Sequence, residues 1–271
     1  MSKLNDVKNW GYFINNTDKR VVHKSSYQMV VIDTCDSDGN EFSSEDIKYM
    51  KEDGKLLIAY ISLGEAENYR WYWKKEWNKR KPPFIGKENP DWPGNYPVNF
   101  WHPEWRTITE QILDKVITQG FDGIYIDKVD VYNDLGGTEE LIKYIKNYIY
   151  YVSFYVKSRI KDFIVISQNA EELARDKDDK PDLIYLSCLD GIAREDLWFT
   201  GDADGNKGPK TPASEVNEIV DNLNIWKANG KAVFVVEYVS GKLWHYADER
   251  LKKLGFIGTS QPRELDDLRT V

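Results

Sequence analysis

The chain has 271 residues, of which 41% are hydrophobic and 30% are charged, a composition that excludes an intrinsically disordered protein. Its formal net charge is −8 and no stripe of Lys and Arg alternates with aromatic residues, so we expect no nucleic-acid partner and favour a neutral or cationic ligand. The longest apolar runs stop well short of the ~20 residues that cross a bilayer, and no charged-then-apolar segment follows Met1, so neither a membrane span nor a signal peptide is predicted.

Eight segments rich in apolar, β-branched and aromatic residues recur along the chain, and most are continuously apolar rather than alternating. Strands of a parallel sheet show this pattern because both of their faces are buried. We therefore predict eight strands, at residues 10–15, 27–33, 55–62, 121–127, 163–168, 182–187, 231–239 and 254–260.

Amphipathic segments lie between several of these strands. Residues 43–54 begin with a capping serine, residues 105–120 repeat apolar side chains at helical spacing, and residues 214–230 run from a serine to a glycine. Repeated βα units with right-handed crossovers form either a closed barrel or a doubly wound open sheet. Since no G-x-G-x-x-G motif follows the first strand, we predict an α/β fold in which residues 1–271 form a single (β/α)8 TIM barrel.

A long insertion of about 60 residues separates the third and fourth predicted strands, far more than a usual βα connection. Six of the ten tryptophans lie in it: Trp71, Trp73, Trp77, Trp92, Trp101 and Trp105. Most of these rings are expected to pack the insertion against the rim of the barrel. Because sugar rings stack on aromatic faces, we also expect a substrate platform among them, and Trp101 is the candidate.

Polar residues gather at the carboxyl ends of the predicted strands, where the catalytic groups of parallel barrels lie. Asp127 ends the fourth strand and shares a face with Tyr125, while Ile124 and Ile126 point to the helix layer, because side chains alternate along a strand. We therefore expect the Asp127 carboxyl at the barrel mouth. The predicted substrate-binding residues on or beside the strands are Asp33, Tyr60, Ser62, Glu65, Tyr125, Lys128, Asp130, Asn169 and Glu237.

The sequence lacks the motifs of other common classes of hydrolase. The three histidines form no H-E-x-x-H motif and no G-x-S-x-G elbow is present, which argues against a zinc hydrolase or a serine hydrolase. We predict no metal and no cofactor. An acid-lined and aromatic-rimmed barrel mouth favours glycoside hydrolysis by two carboxylic groups.

The sequence resembles glycoside hydrolase family 114, the barrels described as endo-α-1,4-polygalactosaminidases and their bacterial and archaeal extracellular relatives. The motifs that carry the resemblance are "VVIDTCD", "AYISLGEAENYRWYW", "WPGNYPVNFW" followed by "EWRTI", and "GFDGIYIDKVDVY". Together they imply a glycosidase that cleaves α-1,4-linked galactosamine polymers outside the cell or at its surface. We also expect the protein to be a monomer.

The resemblance also implies two essential acids, one ending the fourth strand and one glutamate after the sixth. The first is Asp127, and the second falls on Glu195 in "DGIARED", with Asp190, Glu171 and Glu237 as rivals. Lys128 stands where the fungal enzymes have Asn.

Two alternatives remain open from the sequence. A carbohydrate-binding barrel without activity would keep the tryptophan-rich insertion and lose only the acid geometry, and a glycosidase of another sugar specificity would keep both. A cationic galactosamine polymer suits the predicted acidic mouth, formed by Asp33, Glu65, Asp130 and Glu237.

Overall fold

A computed structural model of the chain describes residues 3–200 and 209–268. Within them the chain forms ten strands: β1 (Trp10–Phe13), β2 (Met29–Ile32), β3 (Leu56–Ser62), β4 (Glu65–Glu67), β5 (Asn95–Pro97), β6 (Gly123–Asp127), β7 (Ile164–Gln168), β8 (Gly191–Glu195), β9 (Ala232–Glu237) and β10 (Ile257–Ser260). Eight of these form one parallel sheet in the order β1-β2-β3-β6-β7-β8-β9-β10. The indole of Trp10 donates a hydrogen bond to the carbonyl of Ile257 at 3.0 Å, which brings β1 beside β10. The predicted (β/α)8 TIM barrel is confirmed.

Helices follow most of the barrel strands and cover the outside of the sheet. They are α1 (Lys19–Lys24), α2 (Ser44–Met50), α3 (Pro103–Gln119), α4 (Val131–Asp134), α5 (Glu139–Arg159), α6 (Leu183–Cys188), α7 (Ala213–Ala228) and α8 (Gly241–Leu254), with 3-10 turns at Lys3–Asp6, Lys75–Asn78 and Glu171–Ala174. In the part of the chain that the structure describes, no helix is both long enough and apolar enough to cross a membrane.

Helix α3 shows how the local sequence sets these elements. The side chain of His102 accepts a hydrogen bond from the first turn, and Pro103 opens the helix, where its missing N–H is not needed. Ile108, Leu113 and Val116 are buried at helical spacing. Gly120 ends the helix at a φ of 93°, a left-handed conformation that glycine adopts without a steric penalty. The helix predicted at residues 105–120 is therefore confirmed.

The sixth predicted strand is wrong. Residues Leu183–Cys188 form helix α6, capped by the Asp182 side chain, which accepts a hydrogen bond from the amide of Tyr185. Leu183 and Ile184 are exposed while Tyr185 is buried, because the run packs one helical face rather than two strand faces. A short apolar run does not by itself distinguish a helix from a strand. The sixth barrel strand is β8, so Glu195 ends the strand itself instead of following it at a distance.

Two hydrophobic clusters separate the inside of the barrel from the helix layer. The interior cluster contains residues from seven of the eight barrel strands, among them Trp10, Tyr12, Val31, Ile58, Tyr60, Tyr125, Ile166, Ala193, Phe234 and Val236. Ile124 and Ile126 belong to the outer cluster with the helices. Tyr125 therefore faces inward, and Asp127 follows it on the same face at the mouth.

The insertion between β3 and β6 folds over the rim of the barrel. Strands β4 and β5 pair antiparallel within it, with Glu67 opposite Asn95. Trp77 and Trp105 are buried, and the indole of Trp105 donates a hydrogen bond to the carbonyl of Leu63 at 2.9 Å. These rings fix the hairpin to the barrel, as expected for most of the tryptophans in this segment.

Candidate active site

The carboxyl ends of the barrel strands enclose a cavity of about 390 Å3, which we call the mouth cavity. Cavities of about 500 and 520 Å3 also open at the amino-terminal end of the barrel, but at most two carboxyl groups line either of them. Six acidic side chains line the mouth cavity. It also contains eight of the predicted site residues: Asp33, Tyr60, Glu65, Asp127, Lys128, Asp130, Asn169 and Glu195.

Asp127 is fixed by two hydrogen bonds at the end of β6. The hydroxyl of Tyr60, on the adjacent strand β3, donates to Oδ2 at 2.6 Å, and the amide of Lys128 donates to Oδ1 at 2.7 Å. Burial raises the pKa of this carboxyl to about 7, and the negative charge of Glu195 adds to the rise, while the two hydrogen bonds oppose it. The protonated form of Asp127 is therefore more favoured than that of an ordinary aspartate.

Glu195 ends β8 and is held through both of its carboxyl oxygens. Tyr238 donates a hydrogen bond to Oε1, and the side-chain amide of Asn169 donates to Oε2 at 3.2 Å. The backbone amide of Glu195 donates a hydrogen bond to Oδ1 of Asn169 at 3.2 Å. Asn169 thus orients Glu195 at both ends, in addition to lining the cavity.

The two acids lie on alternate strands with β7 between them. Adjacent strands are about 4.8 Å apart, so the backbones of Asp127 and Glu195 are separated by roughly 10 Å, and both side chains line the same cavity. This arrangement explains why the charge of Glu195 affects the pKa of Asp127. Carboxyl groups placed in this way are suited to acting on two sides of one bond.

The three rival acids lie elsewhere. Asp190 precedes β8 at the amino-terminal end of the barrel, where it accepts a hydrogen bond from the amide of Val165 at 2.9 Å and pairs with Lys157 at 2.8 Å. Glu171 pairs with Arg194 at 3.5 Å, and neither residue lines the mouth cavity. Burial raises the pKa of Glu171, and the guanidinium of Arg194 opposes that rise.

Glu237, the third rival, was also a predicted substrate contact, and the structure does not bring it to the cavity. Its neighbour Val236 belongs to the barrel interior, so the Glu237 side chain points to the outer side of β9, where it is fully buried. Oε1 accepts a hydrogen bond from the amide of Trp198 at 2.8 Å, and no described residue hydrogen-bonds to Oε2. Burial raises the pKa of Glu237 to about 8.

Ser62 and Tyr125, which were predicted as substrate-binding residues, lie in the barrel wall and are not among the residues that line the cavity. Both are buried, and neither hydroxyl has a hydrogen-bond partner among the described residues. Ser62 pairs in register with Asp127, and Tyr125 precedes that acid by two residues on its own strand. They lie beside Asp127 within the wall.

The aromatic wall of the cavity is not the one that was predicted. Trp101 is 43% exposed but packs against Tyr144 of helix α5, with ring centroids 5.8 Å apart, and does not line the cavity. Trp92, from the same insertion, lines the cavity and is 57% exposed, and Tyr69 lies with it. The composition of the insertion indicated an aromatic platform, but not which ring forms it.

Arg70 neutralises two acids on one side of the cavity. Its guanidinium donates to both oxygens of Asp33, at 2.7 and 2.8 Å, and to Oε2 of Glu67 at 2.7 Å. Glu67 also accepts a hydrogen bond from the hydroxyl of Tyr69 at 2.6 Å. Asp33 therefore lies at the cavity as predicted, but as part of an ion-pair network.

Lys128 separates two other acids. Its ammonium lies 3.7 Å from Glu65 and 3.1 Å from Asp134. Burial lowers the pKa of Lys128, but the charges of Glu65 and Asp130 outweigh that effect and raise it. Glu65 also accepts a hydrogen bond from Asn89 at 2.8 Å. Lys128 is thus a fixed cation between Glu65 and Asp134, and it lines the mouth cavity.

Several cavity residues were not predicted, and Arg70, Tyr238 and Arg263 are the most consequential. Tyr238 follows Val236 by two residues, so strand alternation could have placed it on the inner face. Arg70 lies in the insertion and Arg263 follows the last strand, and no periodic pattern points to either of them. Within residues 3–200 and 209–268, no group of three or more His, Cys, Asp or Glu side chains is arranged to hold a metal ion.

Comparisons with known proteins agree on the family. The sequence model of glycoside hydrolase family GH114 matches residues 2–271. An uncharacterised protein of Methanocaldococcus jannaschii is 38% identical, over 96% of this chain and 78% of that protein. An uncharacterised protein of Deinococcus radiodurans is 34% identical, over 98% of this chain and 83% of its relative.

Two solved structures share the fold. The glycoside hydrolase domain of PelA from Pseudomonas aeruginosa superimposes with a TM-score of 0.74 at 15% identity, covering 96% of this chain and 97% of that domain. Ega3 of Aspergillus fumigatus, solved in complex with galactosamine, gives a TM-score of 0.71 at 18% identity, covering 100% and 98%. At these identities the likeness supports the barrel and no more.

Proposed function

Since this chain belongs to glycoside hydrolase family 114, we propose that it cleaves an α-1,4-linked galactosamine-type polysaccharide with Asp127 and Glu195 as its two catalytic acids. The observation that carries the proposal is that both carboxyl groups end alternate strands and line one cavity, where burial and the charge of Glu195 raise the pKa of Asp127. The galactosamine bound to the similar fold of Ega3 supports an amino sugar as the substrate.

Burial and the charge of Glu195 raise the pKa of Asp127, so this carboxyl keeps its proton to a higher pH than an ordinary aspartate does. The protonated acid gives its proton to the glycosidic oxygen as the bond from that oxygen to the anomeric carbon breaks. The ionised acid either bonds to the anomeric carbon or takes a proton from the water that attacks it. Tyr60 and Tyr238 hold the two carboxyls in position through their hydroxyl groups.

Turnover is tested with purified protein on polygalactosamine and on a panel of other glycans, by measuring new reducing ends and product masses. Asp127→Asn and Glu195→Gln are each expected to lower kcat ~10³-fold with little change in affinity for the polymer. Asp114→Asn, an exposed acid on α3, is the control and is expected to keep full activity. Polymer binding without release of any product would contradict the hydrolase and favour the binding barrel.

The charge of the substrate is tested at Asp130. It is the cavity carboxyl to which no other described residue donates a hydrogen bond, whereas Asp33 and Glu65 are already paired. We propose that it binds the ammonium of an amino sugar. Asp130→Asn is then expected to raise KM for polygalactosamine about 10-fold and to leave KM for the N-acetylated polymer unchanged. An equal change for both polymers would contradict amine recognition by this residue.

A further inference from the structure

A left-handed residue that is not glycine follows each of the two acids. Lys128, after Asp127, has a φ of 56°, and Asp196, after Glu195, has a φ of 53°. Residues other than glycine rarely adopt this backbone conformation unless their surroundings impose it. Residues with this strained backbone concentrate at functional sites. The backbone therefore turns sharply directly after each carboxyl, and specific contacts must hold the turn.

Hydrogen bonds hold both the backbone and the side chain of Asp196 in place. Its amide donates a hydrogen bond to the carbonyl of Val236 on the adjacent strand β9 at 3.1 Å. Its carboxylate accepts two hydrogen bonds from the guanidinium of Arg263, at 2.7 and 3.0 Å. Arg263 comes from the segment after β10, so this contact joins two distant parts of the chain at the mouth.

Arg263 also reaches the second support of Glu195. Its guanidinium carbon lies 4.1 Å from the centroid of the Tyr238 ring, within the range of a cation–π contact. The hydroxyl of Tyr238 donates to Oε1 of Glu195. Arg263 thus contacts both the residue that turns the backbone after Glu195 and the residue that holds the Glu195 carboxyl.

We propose that Asp196 and Arg263 are positioning residues for Glu195, which keep its carboxyl in the orientation that turnover requires. Neither residue forms or breaks a bond in the reaction. The proposal rests on the proposed function only in taking Glu195 as a catalytic acid, and it adds two requirements at position 196: a left-handed backbone and an ion pair with Arg263.

Three substitutions separate the two requirements. Asp196→Asn keeps a residue that tolerates the left-handed conformation and can accept one hydrogen bond from Arg263, and it is expected to lower kcat less than fivefold. Asp196→Gly keeps the backbone and loses the ion pair, with an expected loss of about 10-fold. Asp196→Ala loses both and is expected to lower kcat ~100-fold. KM is expected to change little in all three, because Asp196 does not line the cavity.

The chain offers a matched control in Asp179. It also has a left-handed backbone, with a φ of 59°, and pairs with Arg175 at 3.0 Å, but it lies away from the mouth cavity. Asp179→Ala and Asp179→Gly are expected to change the melting temperature and to leave kcat per folded molecule unchanged. If kcat fell as much in these controls as in the variants at position 196, the loss at position 196 would be explained by general destabilisation, and the proposal would be overturned.

The ion pair is tested by combining Asp196→Gly with Arg263→Gln. If the two residues act together, the double variant loses no more kcat than the worse single variant; if the losses multiply, they act separately and the proposal fails. Crystal structures of Asp196→Ala and wild type test the position of the Glu195 carboxyl without substrate. The same carboxyl position in both structures would also overturn the proposal. Absence of turnover in the wild type would instead count against the proposed function, while the structural comparison would still test the positioning.

Discussion

Asp127 shows at the scale of one residue how a buried carboxyl with a raised pKa affects folding. Its pKa is about 7 in the folded chain against 3.8 for an ordinary aspartate, so folding favours the protonated form. Its contribution to stability is complete below pH 3.8 and declines as the pH rises through 7, because the folded cavity must then hold a negative charge. The same charge pair that supports the proposed chemistry therefore opposes folding in neutral and alkaline solution.

Asp127→Asn removes this ionisation and is expected to stabilise the fold selectively at high pH. The advantage of the variant over wild type in the free energy of unfolding is expected to be about 2 kcal/mol larger at pH 8 than at pH 4, after allowing for solvent screening. Chemical denaturation at both pH values measures it. An advantage that does not vary with pH would show that Asp127 has an ordinary pKa in the folded state.

Strand alternation predicts a residue's face only when the strand itself is located correctly. Asp127 and Tyr125 follow the rule because 121–127 contains a true strand. Glu237 lies within the predicted strand 231–239 and ends the observed strand β9, yet alternation from the buried Val236 turns it outward, and a carboxylate was not expected on that buried side. No ion pair to Glu237 is formed by the described residues, and its hydrogen-bond donor is the backbone amide of Trp198, so nothing in the sequence marks this acid as buried.

At the scale of the elements, Glu237 connects strand β9 to the segment that follows β8. Its Oε1 binds the amide of Trp198, and its pKa of about 8 lies well above the ordinary 4.5. The protonated form is therefore stable in the folded chain, and stability is lost as the pH rises towards and through 8. The segment after Glu195 thus depends on a carboxyl that stays neutral.

Glu237→Gln keeps the acceptor for Trp198 and removes the titration. We expect the melting temperature of wild type to fall relative to that of the variant between pH 6 and pH 9, by several degrees for a loss of about 1 kcal/mol. Differential scanning calorimetry measures both curves, with Asp114→Asn as an exposed-acid control. If the melting temperatures of wild type and variant changed in parallel with pH, Glu237 would not titrate in this range in the folded chain.

The sixth strand shows why one element escaped prediction. Residues 182–187 are more apolar than residues 191–195, so the first run was taken as the strand, although Asp182 is a good helix-capping residue. The sequence "GIARE" is short and carries two charges, because Arg194 points outward to Glu171 while Glu195 faces the mouth. A strand that ends in charged residues departs from the apolar pattern that identifies strands.

At the scale of the whole molecule, the barrel could be predicted because its pattern repeats: buried strands, amphipathic helices and closing glycines follow one another along the chain. The walls of the mouth cavity could be predicted only in part. Arg70 and Trp92 come from the long insertion and Arg263 from the segment after the last strand, and no repeat governs their positions. Tertiary packing of irregular segments decides which of these residues reach the cavity.

The contact between β1 and β10 differs from every other junction in the barrel. No backbone ladder joins the two strands within the described residues, and the sheet order begins with one and ends with the other. The indole of Trp10 and the carbonyl of Leu265, which accepts from the amides of Ile14 and Asn15 at 3.1 and 2.9 Å, connect them instead. The barrel therefore has one junction that can open without breaking a ladder.

In hydrogen–deuterium exchange, this junction is expected to behave as the most labile part of the barrel, because no backbone ladder between β1 and β10 has to break for it to open. Amides of β1 and β10 are expected to exchange faster than those of β6 and β7, which are paired on both sides. Leu265 also lines the mouth cavity, so a bound oligosaccharide is expected to slow exchange at the junction. Uniform exchange across all eight strands would show that the indole and Leu265 close the barrel as firmly as a ladder does.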